Sequence, residues 1–298
     1  MSTQAVQPYG PSAIGGSVRR FVELTLTLAR TEFKLRYFGS ALGYAWSLMR
    51  PLLFFGVIYV VFTQIFSFGN GVPHYGVYLL TGIVLWTFFA EATAGSVQSL
   101  VQREALLRKV RFPRMVVPLS VSLTALFNLA MNFIAVIVFA LANGIQPTLS
   151  WLWLFPIVIG FVIIATGAGM LLSALYVRYR DVAPIWDVGV QMLFYATPVM
   201  YVASKYQSFE HVAMLSPFAM MLTQMGHSFI DPTPNPAFCD HLTAQQINAT
   251  IACHNLPTAA HAIGGTVRLL IPIGIIFATF ALGWWVFTRE APRVAENL

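Results

Sequence analysis

Six long apolar runs constrain this chain more than any other feature of its sequence. Each is about as long as the 17–25 residues that a helix needs to cross the hydrocarbon core of a bilayer. The runs are residues 51–68, 75–97, 116–141, 152–177, 182–200 and 267–287. Charged residues make up only 9% of the 298-residue chain, against about 25% in ordinary soluble domains. This composition excludes a cytosolic enzyme, a nucleic-acid-binding protein and a disordered protein, and it leaves a polytopic membrane protein.

The runs predict an all-α membrane fold with six transmembrane helices. They are continuous and show no ten-residue alternation of polar and apolar positions, so a transmembrane barrel is not expected. Residues 1–17 are polar and lack the apolar core of a signal peptide. We expect them to form a flexible N-terminus, residues 18–37 to form a separate interface helix, and residues 38–298 to form the membrane domain.

The distribution of basic residues predicts the orientation of the spans. Of the 17 Lys and Arg, 15 lie before the first run, between the second and third, between the fourth and fifth, or after the sixth. Only Lys205 and Arg268 fall on the other side, Lys205 after the fifth run and Arg268 at the start of the sixth. Basic residues in short loops are retained on the cytoplasmic side, so both termini are expected to be cytoplasmic. The net charge of +6 follows from this signal and implies no nucleic-acid partner.

The segment Val18–Tyr37 has the pattern of an amphipathic helix lying in the cytoplasmic interface. Its predicted apolar face holds Phe21, Leu24, Leu28 and Leu35, and its polar face holds Glu23, Arg30 and Lys34. A simple membrane anchor and a helix that rides on a partner subunit both fit this pattern. Pro51, beyond the following glycine-containing turn, is suited to the first turn of the first span.

The long external segment, residues 204–265, is expected to contain re-entrant half-helices followed by a loop. Ser216 and Pro217 break the apolar stretch Phe209–Ile230 into two pieces that are each too short to span. Irregular backbone at membrane depth is tolerated where protein or a cavity surrounds it. Cys239 and Cys253 lie together in the loop, on the side where disulfides persist, and a bridge and two free thiols both remain open.

The sequence offers little for catalysis. It contains no metalloprotease, nucleophile-elbow, Cys-x-x-Cys or P-loop motif, so no catalytic residue, no metal site and no cofactor bound by this chain are predicted. The spans contain two acids, Glu91 and Asp187, and an acid inside the membrane is a candidate functional residue. Both lie toward the predicted cytoplasmic ends, where pairing with nearby arginines is favoured over a proton relay.

Four aromatic residues recur on one face of the first span. Phe55, Tyr59, Phe62 and Phe66 follow helical spacing, and a row of rings can line a conduit for sugars, because the apolar face of a pyranose packs on an aromatic ring. Packing of the same rings on a neighbouring helix is equally consistent with a chain that is 14% aromatic.

Several segments together resemble one family. They occur in its order nearly from end to end: residues 34–53 (KLRYFGSALGYAWSLMRPLL), 106–119 (LLRKVRFPRMVVPL), 178–181 (RYRD), 195–201 (YATPVMY) and 289–298 (REAPRVAENL). This combination is similar to that of polysaccharide exporter permeases of the Wzm and TagG type, within the type-2 ABC transporters.

The resemblance implies a function and a set of partners. It implies a homodimeric channel in a bacterial cytoplasmic membrane, driven by two copies of a separate ABC ATPase subunit that carry the ATP and Mg. The expected substrate is a polysaccharide such as O-antigen, teichoic acid, capsule or galactan, linked to a polyprenyl diphosphate. The positions that match the ATPase-coupling elements are Arg108, Lys109, Phe112, Pro113, Arg114, Arg178 and Asp181.

Two arginines at the predicted cytoplasmic mouth form a hypothesis for the lipid diphosphate. Arg36 and Arg50 flank the start of the first span, and guanidinium groups bind phosphate through paired hydrogen bonds. Anchoring by positive charge alone explains these residues equally well. Three other functions stay open: a membrane enzyme acting on lipid-linked sugars, a secondary transporter, and an ABC exporter of small molecules.

Overall fold

The computed structural model describes residues 18–38, 43, 45–65, 72, 74–105, 113–201, 213–230, 256 and 258–290. Ten α-helices lie within these ranges: α1 (Val18–Tyr37), α2 (Ala45–Val60), α3 (Tyr75–Val97), α4 (Ser99–Gln102), α5 (Val116–Ala142), α6 (Leu154–Arg178), α7 (Val182–Ala196), α8 (Pro217–Met225), α9 (Ala259–Ala262) and α10 (Leu270–Glu290). Short π-helices, Val61–Ile65 and Gly226–Ile230, extend α2 and α8, and the 3₁₀-helices Leu149–Trp153 and Thr266–Leu269 precede α6 and α10.

Five helical segments in the described part of the chain are long and apolar enough to cross a membrane. They are Ala45–Ile65, Tyr75–Val97, Val116–Ala142, Leu149–Arg178 and Thr266–Glu290. The prediction of an all-helical polytopic membrane protein is therefore confirmed, with five long spans where the sequence analysis expected six.

The fifth predicted run forms the shorter helix α7. This helix ends at Ala196, and Thr197 after it is extended. The reason is Pro198, because the residue before a proline is sterically biased away from helical conformation. Two phenols hold the chain that follows: the Tyr78 hydroxyl donates to the Pro198 carbonyl at 2.8 Å, and the Tyr75 hydroxyl donates to the Met200 carbonyl at 2.6 Å.

Predicted and observed helix bounds agree closely for α1, α3 and α5. The clearest difference is α2, which begins at Ala45 instead of Pro51 and therefore carries Pro51 in its interior. The preceding Gly43 has φ 47°, a conformation that glycine adopts without steric cost, and its carbonyl accepts a hydrogen bond from the Trp46 amide. Because the chain turns at Gly43, α2 begins six residues before the predicted apolar run, which starts at Pro51.

The helix α3 is the centre of the bundle. Of its 23 residues, 17 are buried, whereas Pro51 is the one buried residue of α2. Large rings from α3 pack inside the protein, with Trp86 and Phe89 lying 5.5 and 4.6 Å from the ring of Phe218. Burial of such side chains stabilises the bundle through close packing, because lipid is as apolar as the protein interior.

The helices α6 and α10 approach each other backbone to backbone. Gly167 and Gly283 form the contact: a Cβ on Gly283 would overlap the Gly167 carbonyl, and a Cβ on Gly167 would lie 2.5 Å from the Phe280 Cα. Small residues permit this approach, which is a common means of helix association in membranes.

The interface helix α1 packs against the bundle instead of lying free. Its buried residues are Thr25 and Ala29, and the Thr124 hydroxyl of α5 donates to the Ala29 carbonyl at 3.3 Å. Leu35, on the predicted apolar face, lies outside this packed surface and is 66% exposed. The packed face follows small residues because they let α1 approach α5 closely.

The helix α8 begins at the break predicted from Ser216 and Pro217. Ser216 is extended and Pro217 occupies the first turn, as its fixed φ favours. Most of α8 is buried, and the side-chain Oε1 of Gln224 accepts a hydrogen bond from the Ala259 backbone amide at 3.1 Å. The loop with Cys239 and Cys253 lies outside the described residues, as do the N-terminal 17 residues.

Candidate functional site

A polar cavity of about 360 Å³ opens between α1, α2, α3 and α5. It is lined by Arg36, Tyr37, Trp46, Ser47, Arg50, Pro51, Thr87, Glu91, Ala94, Gly95, Asn128 and Asn132. We call it the mouth cavity. It lies at the end of the bundle where α3 finishes and α5 begins, which is the end that collects most of the basic residues.

A hydrogen-bond network joins three helices at the back of the mouth cavity. Glu91 Oε2 accepts from Asn128 Nδ2 at 2.8 Å and lies 3.4 Å from Arg36 NH1. The Tyr37 hydroxyl donates to Asn128 Oδ1 at 2.8 Å. One turn deeper, Asn132 Nδ2 donates to the Asn128 carbonyl at 2.9 Å. The expected pairing of Glu91 with a nearby arginine is confirmed, whereas Asp187 is exposed on α7 and forms no ion pair within the described residues.

The two arginines of the diphosphate hypothesis line the same cavity but differ in their contacts. The Arg36 guanidinium pairs with the Glu91 carboxylate at 3.4 Å, and this distance is long for a charge-assisted hydrogen bond. Arg50 is exposed and pairs with no acid in the described residues. The cavity therefore holds two guanidinium groups and one carboxylate, and its rim has an excess of positive charge.

A ladder of rings lies along α2 beyond the mouth cavity. Phe55 and Tyr59 are 5.4 Å apart, Phe55 is 5.6 Å from Phe139 of α5, and Tyr59 is 6.5 Å from Tyr75 of α3. Tyr59 stays 40% exposed, while Phe55 and Phe62 are half-buried against the core. One face of the predicted stripe thus packs on neighbouring helices, and Phe66 lies outside the described residues.

A second, larger cavity of about 710 Å³ lies at the opposite end of α5. Its lining is almost entirely apolar and comes from α5, from the 3₁₀-helix Leu149–Trp153 and from the start of α6. Such a surface suits hydrocarbon chains.

Comparison with known proteins decides the family. Residues 23–229 match the model of the ABC-2 type transporter family. The chain belongs to the ABC-2 type transporter family. The expected resemblance to type-2 ABC permeases is therefore confirmed.

Curated relatives of this ABC-2 transporter chain are similar over most of their length. An O-antigen export system permease protein RfbA from Klebsiella pneumoniae is 31% identical over 215 residues, which are 72% of this chain and 82% of the relative. A protein of the same name from Myxococcus xanthus is 33% identical over 186 residues, or 62% of this chain and 70% of the relative.

Two of the expected coupling residues of this ABC-2 chain lie just before α5. Pro113 accepts a hydrogen bond from the Val116 amide. Arg114 is only 8% exposed, and its NH1 is buried without a hydrogen-bond partner. Burial lowers the pKa of the Arg114 guanidinium, because a charge in a dry site is disfavoured. Arg108, Lys109 and Phe112 lie outside the described residues.

The other coupling residues lie on an exposed turn between α6 and α7. Arg178 is exposed and its guanidinium carbon lies 5.4 Å from the Tyr179 ring. Asp181 precedes α7 but forms no side-chain capping bond. This surface and the Arg114 segment lie at the same end of the bundle, since Met115, Val177 and Phe287 share one apolar cluster.

Sequence reasoning missed the amide residues of the mouth cavity. Asn128 and Asn132 are 4% and 7% exposed and lie near the middle of the 27-residue helix α5. Their i, i+4 spacing on one face was the available signal, because polar residues in a span turn toward the protein interior or a cavity.

Proposed function

We propose that this ABC-2 transporter chain is the transmembrane subunit of an ATP-driven exporter of polysaccharide linked to a polyprenyl diphosphate. The relatives named as O-antigen export permeases support O-antigen as the polymer class. The observation that carries the proposal is the mouth cavity. Arg36 and Arg50 line it together with the side-chain amides of Asn128 and Asn132, at the basic end of the spans.

The mouth cavity is suited to receive a lipid diphosphate from the cytoplasmic side. Arg50 is exposed and unpaired by acids in the described residues, and Arg36 is held by one long ion pair. A diphosphate carries more charge than a carboxylate and offers several oxygens to a guanidinium. It therefore displaces Glu91 from Arg36 while the lipid tail stays in the bilayer.

The ring ladder of α2 provides a route for sugars beyond the mouth. Its accessible member is Tyr59, at 40% exposure. In a homodimer, the faces of two α2 helices come together and enclose a passage in which pyranose rings slide on aromatic surfaces. The passage needs weak contacts at many positions, because a transported polymer must leave each site as readily as it enters.

The proposed assembly contains two copies of this chain and two ATPase subunits in a bacterial cytoplasmic membrane. ATP and Mg are bound by the ATPase subunits, whose movement is transmitted through Pro113, Arg114 and the turn with Arg178 and Asp181. In this arrangement both termini are cytoplasmic, α7 with the chain after it completes a sixth crossing, and α8 is a re-entrant half-helix at the exit.

Gentle extraction of the tagged chain from its native membrane tests the proposal. We expect mass spectrometry to find a P-loop ATPase in equal amount, and the complex to hydrolyse ATP. Repeated absence of such a subunit after crosslinking contradicts the exporter and directs attention to enzymes of lipid-linked sugars.

Substitution of Arg50 tests the diphosphate site separately. Arg50→Gln should lower the affinity for farnesyl diphosphate at least tenfold, because it removes the exposed charge of the cavity rim. Arg30→Gln is the matched control, since Arg30 is exposed on α1 and does not line the cavity. Equal affinities of the two variants contradict the site.

The double variant Tyr59→Ala, Phe62→Ala tests the conduit. We expect polymer export to fall while the abundance of the protein and binding of farnesyl diphosphate stay unchanged. Ile271→Ala, Phe277→Ala is the control, because both side chains are exposed on α10, away from α2. Normal export by the aromatic variant overturns the conduit.

A further inference from the structure

Building on the proposed function, we infer that the inner wall of the mouth cavity is a sugar-binding subsite for the first sugar attached to the diphosphate. The wall consists of Asn128, Asn132 and Glu91. It gives the exporter a means of recognising the sugar-bearing end of its substrate before the polymer enters the conduit.

The amide of Asn132 is the observation that points to a ligand. Asn132 is 93% buried and lines the mouth cavity, yet its side-chain Oδ1 accepts no hydrogen bond within the described residues. A polar group near the middle of a membrane helix is costly unless it is paired. The hydroxyl group of a sugar satisfies this oxygen as a donor.

The neighbouring groups complete a surface for a polyhydroxylated ring. Glu91 Oε2 already accepts two contacts, from Asn128 and Arg36, and its other carboxylate oxygen forms no hydrogen bond within the described residues. Trp46, which is 48% exposed, lines the same cavity and offers an indole face. Acceptors and an aromatic ring in one cavity suit the hydroxyls and the apolar face of a pyranose.

The order of the groups sets which sugar binds there. Arg36 touches Glu91, and Glu91 touches Asn128, so a phosphate on the Arg36 guanidinium lies within one side chain of the amide wall. The sugar esterified directly to that phosphate is therefore the one that reaches Asn132. A cavity of about 360 Å³ falls at the small end of ligand sites and accommodates one sugar with its diphosphate, not a longer oligosaccharide.

The test compares two probes on the full chain in lipid nanodiscs. The probes are farnesyl diphosphate and farnesyl diphosphate carrying one hexose. For the wild type we expect tighter binding of the sugar-bearing probe. Asn132→Leu, a change of similar volume, should lower the affinity for that probe about fivefold, as expected for loss of one hydrogen bond, and leave the bare diphosphate unchanged.

Controls separate this inference from the proposed function. Asn143→Ala removes an exposed amide from the end of the same helix and should change neither affinity. Arg50→Gln should lower both affinities. If Arg50→Gln has no effect on either probe, the diphosphate site itself is wrong.

Other results bear on the sugar subsite alone. If the wild type binds both probes equally, or if Asn132→Leu weakens both by the same factor, Asn132 has a structural role and the subsite is wrong even though Arg50 still binds the diphosphate. Equal affinity in the wild type decides the question without any variant, so poor folding of Asn132→Leu leaves the test intact.

Discussion

At the residue scale, buried polar groups affect the stability of this membrane protein according to whether they have a hydrogen-bond partner. Tyr78 is fully buried in the core, and its hydroxyl bonds to the Pro198 carbonyl, just beyond the end of α7. Arg114 is nearly as buried but its NH1 has no partner. The Tyr78 hydroxyl is hydrogen-bonded and stabilises the bundle. The Arg114 guanidinium lacks a partner at NH1 within the described part of the chain and destabilises the bundle, and a carboxylate that paired with it would remove this penalty.

Tyr78→Phe should destabilise the protein by about 1–3 kcal/mol, because it leaves the buried Pro198 carbonyl short of a donor. The thermal unfolding midpoint in detergent is expected to fall. Tyr195→Phe is the matched control, since Tyr195 is 69% exposed. Equal midpoints for the two variants contradict the role given to the Tyr78 hydroxyl.

Arg114→Met should stabilise the isolated chain by about 1 kcal/mol, because an apolar side chain avoids the desolvation of an unpaired charge. Burial lowers the pKa of Arg114, but the guanidinium stays charged through the neutral range. The gain should therefore be the same at pH 6 and pH 8. Arg30→Met, at an exposed position of α1, should change the stability little. A loss of stability in Arg114→Met would contradict the destabilising effect given to the buried guanidinium.

At the element scale, the contacts between helices depend on how closely their backbones approach. The helices α6 and α10 meet at Gly167 and Gly283, where no Cβ fits. The helix α1 is joined to the bundle by polar contacts, among them the ion pair between Glu32 and Arg103.

Gly283→Ala should destabilise the protein by about 1–3 kcal/mol through overpacking, because the added methyl overlaps the Gly167 carbonyl. Gly274→Ala on the same helix meets open space and is the matched control. We expect a lower unfolding midpoint for the first variant alone, and a similar midpoint for both would show that α6 and α10 can separate without cost.

The attachment of α1 should depend on pH through Glu32. Burial raises the pKa of Glu32 more than the Arg103 guanidinium lowers it. A carboxyl whose pKa is raised on folding adds stability below its ordinary pKa, and this contribution is lost as the pH rises through the raised value. Relative to Glu32→Gln, the wild type should therefore lose stability as the pH rises above the ordinary carboxyl pKa of 4.5. A difference between the two proteins that is independent of pH contradicts this prediction.

At the scale of the whole molecule, α2 and α7 present exposed apolar surfaces that lie side by side. Val57 on α2 and Met192 on α7 are 65% and 67% exposed, and Phe54 and Phe194 lie 5.8 Å apart and join the two helices. Lipid covers such faces in a single chain, and a second copy covers them in the proposed dimer.

Cysteine crosslinking in native membranes should detect that dimer. In a background with Cys239 and Cys253 replaced by serine, Val57→Cys is expected to form a disulfide-linked dimer. Phe277→Cys, on the exposed side of α10, is the control and should stay monomeric. Equal crosslinking of the two variants would place the contact between subunits elsewhere.

The positions of the long helices could be predicted from the sequence by itself. The limits of α3 and α5 agree with the apolar runs to within one residue, because the length of a span and the absence of charge are local properties. Pro217 likewise marked the start of α8, since proline restricts the backbone wherever it stands. The family motifs are also local, so the sequence by itself indicates the ABC-2 type transporters.

Only the tertiary structure decided how the helices face one another. The mouth cavity brings Arg36, Glu91 and Asn128 together from three helices, and α3 became the buried centre although it is the least apolar of the five long spans. In a soluble protein the apolar stripe of a helix reveals its inner face. In a membrane both faces are apolar, so rotation and neighbours are set by close packing and by a few polar contacts that link residues far apart in the chain.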